Sequence, residues 1–173
     1  MRMNDSQNGH GDVNDNTEIT LRFLAEPSDV NFGGNVHGGN VMKWIDHAGY
    51  TCAANWSSAY CVTVYVGGIR FLKPISVGDL VELKAELMHT GRTSMHISVS
   101  VHARNPRDRQ RRFTTHCILV FVALDDSGKP QRIPAFEPAS ERAHHLNAYA
   151  RRMIELREQL RSESESFLGA VKA

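Results

Sequence analysis

Residues 31–49, "NFGGNVHGGNVMKWIDHAG", set one amide side chain, Asn31, one carboxylate, Asp46, and the bare backbone of Gly38 and Gly39 beside an apolar stripe. A carboxylate can take a proton from water, and an amide can donate to one oxygen while accepting from another. Glycine has no Cβ, so a ligand atom can come close to its backbone. If Gly38 and Gly39 open a helix, their N–H groups lack intrahelical partners and lie at its positive end, where a developing oxyanion is stabilised. Asp46 follows Gly38 by eight residues. At 1.5 Å per residue it lies about 12 Å along that helix, on the flank of the stripe, where partial burial is expected. Asn31 and Asn35 also fit a plain turn, since Asn beside Gly favours one, and for Asn35 that is the preferred reading.

Other reactive side chains are weaker candidates. His37 is a candidate because imidazole as a class can exchange a proton near neutral pH. The chain has nine histidines but no HExxH and no carboxylate–histidine cluster, so no metal is expected and His37 reads as a loop or substrate-adjacent residue. His89, His96, His102 and His116 read as surface or strand-face residues. Cys52, Cys61 and Cys117 are odd in number and set among apolar residues, as reduced core thiols are. The stretch 104–112, "RNPRDRQRR", holds five arginines and reads as a solvated hairpin loop.

Elements must hold these groups in place. The 173 residues are 41% hydrophobic and 23% charged, enough for one domain with a real core. A net charge of +1 gives no field to recruit nucleic acid or an anionic membrane. The longest apolar run, Cys117 to Leu124, is eight residues, far short of the ~20 a membrane span needs. The polar N-terminus lacks a secretory h-region, so a cytoplasmic protein is expected.

Residues 1–17 are rich in Asn, Asp, Gly and Ser and are expected to stay disordered. "TEITLRFLA" predicts a first strand over about 19–24. Val41, Trp44, Ile45, Ala48, Cys52 and Ala53 recur at helical spacing from Gly38 to about Trp56, with Gly49 inside for tight packing. Four strand patterns follow. The first contains Gly67-Gly68 as a bulge, a tight turn lies at Thr90-Gly91, and the last is the most apolar and so the most interior. Strand, helix and then a meander is the expected order. From Ser140 to about Ser164 an amphipathic helix carries Leu146, Tyr149, Met153, Ile154 and Leu160 on one side. It could clasp a neighbouring subunit or lie on the surface.

Residues 18–137 resemble the hotdog-fold acyl-CoA thioesterases of the acyl-CoA hydrolase group. The anchor is N-x-x-G-x-x-x-G-G-x-x-M-x-x-I-D, met by Asn31, Gly34, Gly38, Gly39, Met42, Ile45 and Asp46. Thr63, Phe71, Pro74, "VGD" at 77–79, "TGRTSM" at 90–95 and "FVALDDSGKP" at 121–130 follow in order. The resemblance implies an α+β hotdog: a long central helix wrapped by an antiparallel sheet of five or more strands, with residues 138–173 as a C-terminal helical extension. It implies hydrolysis of fatty acyl-CoA to free fatty acid and coenzyme A. Asp46 would activate water or attack directly to give an anhydride, and Gly38 and Gly39 would bind the oxyanion. Asn31 of one subunit would work with Asp46 of another, so a homodimer is the minimum and a trimer of dimers, a hexamer, is implied.

Coenzyme A would meet Arg92, Thr93 and Ser94, with Arg70 and Lys73 as weaker contacts, because Arg offers bidentate phosphate binding and hydroxyls offer hydrogen bonds. No cofactor is expected beyond the coenzyme A of the substrate. One departure stands out: family members often carry an acid where this chain has Gly67. Two other readings are kept. A hotdog dehydratase or hydratase would need an acid–base pair near the helix start, and Asp46 with Asn31 fits water attack better. A non-catalytic acyl-CoA-binding regulator would need a DNA-binding module, for which the residues ahead of the first strand leave little room.

Overall fold

The structure is a computed structural model, described over residues 15–172. Most of the expected N-terminal tail therefore lies outside the described residues, and its last three residues, Asp15–Thr17, form a single 3-10 turn. Five strands follow, β1 Glu18–Leu24, β2 Tyr60–Phe71, β3 Leu80–Thr90, β4 Ser94–Arg104 and β5 Arg112–Leu124, with helix α1 Gly38–Ser57 between β1 and β2 and helix α2 Glu141–Lys172 at the end. They form one antiparallel sheet in the order β1-β3-β4-β5-β2. This corrects the expected meander. β3, β4 and β5 do run as neighbours, but β2 crosses to the far edge and pairs with β5, which leaves it one unpaired side. Strand alternation specifies faces and not neighbours, so this crossover is invisible in the pattern.

Helix α1 lies on the inner face of the sheet. Val41, Ile45, Ala48, Cys52 and Ala53 are buried there against Val81, Leu83, Ile97, Val99, Leu119 and Phe121. Gly49 sits where the helix comes closest: a Cβ there would lie 2.7 Å from Leu119 Cδ1 and 2.9 Å from Phe121 Cε2. The helix ends at Ser58, a left-handed residue whose N–H bonds the Ala54 carbonyl.

Helix α2 covers the outer face and runs eight residues past the expected end at Ser164. Ser140 caps it through Oγ, which accepts the Ala143 N–H at 3.1 Å. Leu146, Ala150 and Met153 pack on Met88 and Ile118, while Tyr149 and Leu160, expected in the same stripe, are exposed. Leu146, Ala150 and Met153 define the packed side; Tyr149 lies on its flank, and Leu160 lies beyond the turns that pack on Met88 and Ile118. Arg142 docks the start of α2 by pairing with the buried Glu86 through Nε at 2.9 Å and Nη2 at 2.7 Å. His96, expected on the surface or on a strand face, stands on the outer face of β4, and α2 covers it to 5% exposure.

The arginine-rich loop is not wholly solvated. Arg112 bonds the buried Asp79 at 2.6 Å, and Arg111 pairs with Glu82, so the hairpin is tied to the sheet.

Candidate active site

Two clusters arise from the residues singled out above. The first is at the start of α1. The chain enters through a tight loop in which the Asn31 N–H bonds the Asn35 carbonyl at 2.7 Å. Asn31 Oδ1 accepts the Gly33 N–H at 2.8 Å and the Asn35 N–H at 3.3 Å. The loop thus uses the amide oxygen, and both donors being N–H groups fixes which end of the amide faces them. Only the NH2 of Asn31 remains to meet a ligand, so this residue is a donor and not the expected donor and acceptor.

Gly38 is the first helical residue and His37 is the N-cap. The His37 ring accepts the Gly39 N–H at Nδ1, 2.9 Å away, which places the proton of the neutral ring on Nε2. Of the two glycine amides expected as open donors, Gly39 is therefore occupied by an imidazole in this state, while Gly38 makes no loop or side-chain hydrogen bond among the described residues. The second glycine of the pair has a packing reason as well, since a Cβ at Gly39 would lie 3.0 Å from His37 Nδ1. Asn31 and Gly38 line one cavity of about 330 Å³ together with Phe71, Lys73, Ile75 and Thr115. Lys73 is exposed at its rim, whereas Arg70 pairs with His116 on β5 in the register of the sheet.

The second cluster lies further along α1. Asp46 is exposed and not partly buried as expected, because its flank of the helix faces the open β2 edge and not the sheet centre. Its Oδ1 accepts the Thr63 hydroxyl at 2.7 Å. Thr63, a motif match without an assigned role in the sequence, is thus the residue that orients the carboxylate. Its signal was faint: a hydroxyl on the inner face of a strand just before a bulge at Val64, where Thr63 pairs with Phe121 and Tyr65 with Val120. Asp46 does not line the cavity that holds Asn31 and Gly38. Within one chain the two clusters stay apart.

The Val64 bulge reverses the face of the following residues. Tyr65 turns to the outer side, and the Arg157 guanidinium of α2 lies 4.9 Å from its ring centre. A second register shift follows between Gly67 and Arg70, where Gly68 has φ +64°, so the expected glycine bulge is present. It also accounts for Gly67: the Tyr65 ring crosses that position, and a Cβ there would lie 2.3 Å from it. A side chain at 67 would require the Tyr65 ring to turn aside.

Arg92 and Thr93 form the β3–β4 turn, where Thr93 accepts the Ala123 N–H at 3.1 Å and Arg92 the Ile133 N–H at 3.2 Å through their carbonyls. Both side chains remain for a ligand. Ser94 instead lines an outer-face cavity with Tyr65, Val120 and Arg157. Thr63, Phe121 and Met95 lie in one register row, so Met95, two residues after Thr93, sits about 10 Å from Thr63, two strand spacings across the sheet.

The three cysteines are free and buried. Burial pushes the Cys52 thiol up to about 12 and the Cys117 thiol to about 11, so neither supplies a thiolate nucleophile near neutrality. Among the described residues no group of three or more His, Cys, Asp or Glu side chains could hold a metal ion. No helix of the described residues is long and apolar enough to cross a membrane.

This arrangement has close parallels. Residues 33–109 match the thioesterase superfamily. The chain is 36% identical over 126 residues to the acyl-CoA thioester hydrolase YciA of Salmonella typhimurium, spanning 69% of this chain and 95% of that protein. A hexameric acyl-CoA thioesterase superposes with a TM-score of 0.79 at 34% identity, over 82% of this chain and 91% of that one. The acyl-CoA hydrolase of Staphylococcus aureus, solved with butyryl coenzyme A, coenzyme A and coenzyme A disulfide, superposes with a TM-score of 0.82 at 27% identity, over 90% of this chain and 95% of that one. That hydrolase was also solved with an asparagine, an aspartate and a threonine each changed to alanine, at positions spaced by 15 and then 17 residues, as are Asn31, Asp46 and Thr63 here (31 to 46, 46 to 63). Identity above 30% across two thirds of the chain, joined to a hotdog sheet wrapped on a glycine-opened helix, settles the kinship: this chain belongs to the thioesterase superfamily.

Proposed function

We propose that the chain is an acyl-CoA thioester hydrolase that releases free fatty acid and coenzyme A, with each site built from two subunits. The observation that carries this reading is the Asp46–Thr63 pair, exposed on the open flank of α1 and held apart from the Asn31–Gly38 cavity of its own chain. Hydrolysis needs both sets of groups around one carbonyl. The β2 edge is unpaired and carries Val64 and Val66 half exposed, and Phe32, beside Asn31, projects fully into solvent. A second subunit seated on that edge would cover this apolar surface and bring its Asn31 loop to Asp46. Relatives of this chain include hexameric thioesterases, which agrees with a trimer of such dimers.

In this mechanism the Asp46 carboxylate, held by Thr63, takes a proton from water as the water oxygen attacks the thioester carbon. Direct attack by Asp46, giving an anhydride that water then opens, uses the same placement. Negative charge moves to the carbonyl oxygen, which receives the Gly38 N–H at the positive end of α1, and the Gly39 N–H once the imidazole of His37 gives way. The partner's Asn31 NH2 orients the carbonyl or the water. The tetrahedral intermediate collapses, the C–S bond breaks, and the thiolate of coenzyme A leaves with the proton that Asp46 took. Arg92, Thr93, Arg70 and Lys73 meet the nucleotide and pantetheine, and the reaction needs no metal or cofactor.

The test is thiol release from a panel of acyl-CoAs with the wild type, Asp46→Ala and Asn31→Ala. Turnover in the wild type and its loss in both variants supports the reading; undiminished turnover in Asp46→Ala overturns the site. Mixing the two inactive variants after brief dissociation should restore part of the activity, because a mixed dimer rebuilds one intact site. No recovery would place Asn31 and Asp46 in the same chain's site.

A further inference from the structure

Helix α2 is longer than the sheet it covers. Its 32 residues span about 48 Å. The first half crosses the outer face in order: Arg142 on β3 at Glu86, then Ala150 and Met153 on β5 at Ile118, then Arg157 over Tyr65 of β2. Strand β2 is the last of the sheet. After Arg157 the helix lifts off the sheet, and a cavity of about 620 Å³ lies between Leu160, Arg161 and Ser164 and the outer face at Val64, Tyr65 and Val120. The distal half nonetheless carries Leu160, Phe167 and Leu168, exposed at 64%, 67% and 47%. Leu160 and Phe167 are seven residues apart and so lie on one side of the helix.

We propose that this distal half clasps a second copy of the same chain across the β2 edge. The inference rests on the edge-to-edge dimer proposed above. A two-fold axis perpendicular to the sheet at that edge puts both copies of α2 on the same outer face and runs them antiparallel past each other. Each copy then offers Leu160 and Phe167 to the other over the gap beside β2. The charge order fits this pairing. Arg151, Arg152 and Arg157 make the crossing turns basic, with Glu155 as their one acid, while Glu158, Glu163 and Glu165 make the following turns acidic, with Arg161 as their one base. An antiparallel pair sets the basic turns of one copy against the acidic turns of the other.

Sedimentation velocity over a dilution series of the full chain tests this, with circular dichroism melts to verify folding. Leu160→Glu with Phe167→Glu should weaken subunit pairing at least tenfold. A chain ended after Gln159, which keeps every packed residue of α2, should do the same if the double variant misfolds. Val66→Asp on the β2 edge reports the dimer itself. If Val66→Asp dissociates the subunits while both α2 variants pair as tightly as wild type, the clasp is overturned and the edge dimer stands. If Val66→Asp also pairs normally, the edge dimer falls and the clasp falls with it.

Discussion

Thr63 Oγ1 donates to Asp46 Oδ1 at 2.7 Å, joining the edge strand β2 to the open flank of α1. This bond sets the direction of a carboxylate that packing leaves free, since Asp46 is exposed and only its neighbour Ile45 is buried. In the proposed mechanism Asp46 is the base and must point at its water, so this orientation should have a kinetic value.

Asp46→Asn should lower kcat by about 100-fold or more, the usual contribution of a general base, with folding unchanged. Thr63→Ala should cost about tenfold in kcat and leave KM within about twofold, since it removes orientation and not the base. Steady-state thiol release reads both. A Thr63→Ala enzyme as fast as wild type would mean the hydroxyl has no part in catalysis.

His37 caps α1 by accepting the Gly39 N–H. His37→Ala should cost about 1 kcal/mol of stability, the typical value of a lost N-cap, and so lower Tm by roughly 2–4 °C. Because the proposed oxyanion donors are backbone groups, kcat should stay within about threefold of wild type. A drop of 100-fold would make the imidazole itself the catalytic donor.

Gly49→Ala should destabilise by about 1–3 kcal/mol, because the new methyl meets Leu119 Cδ1 at 2.7 Å and Phe121 Cε2 at 2.9 Å and the core there is full. Differential scanning calorimetry should show a Tm lowered by roughly 3–10 °C. An unchanged Tm would mean α1 can move off the sheet at no cost.

Burial, with the charges of Arg157 and His89 nearby, pushes the His96 imidazole down to about 4. The unfolded chain therefore binds the His96 proton at a higher pH than the folded one, and stability falls as pH drops from about 6.5 towards 4. Burial lowers His116 too, and burial with Arg151 lowers His89, so the effects add in the same direction. Tm should fall by roughly 5–10 °C over that window, and His96→Gln should flatten the slope. Equal slopes for wild type and variant would remove His96 as the cause.

Much of the architecture was legible along the chain. The α1 stripe, the strand patterns and the start of a second helix near Ser140 rest on interactions within a few residues, which periodicity records directly. The helix start was legible for the same reason: Gly38 does open a helix and Asp46 does lie further along it. Contacts between distant residues left no such trace. The Val64 bulge that turns Tyr65 outward, the Tyr65 ring that lies across position 67, and the hydroxyl of Thr63 on Asp46 depend on how β2 meets β5 and α1.

The sequence by itself determined the elements and the inventory of groups: a glycine-opened helix, one carboxylate on its flank, one amide ahead of it, and buried thiols. Local sterics and hydrophobic periodicity suffice for that. Only the tertiary structure decided which groups meet. It gave Asp46 to Thr63, kept it from the Asn31–Gly38 cavity of its own chain, tied up the Asn31 oxygen and the Gly39 N–H, and sent β2 to an unpaired edge. Those outcomes follow from long-range packing and strand order, which a pattern of period two or 3.6 cannot encode.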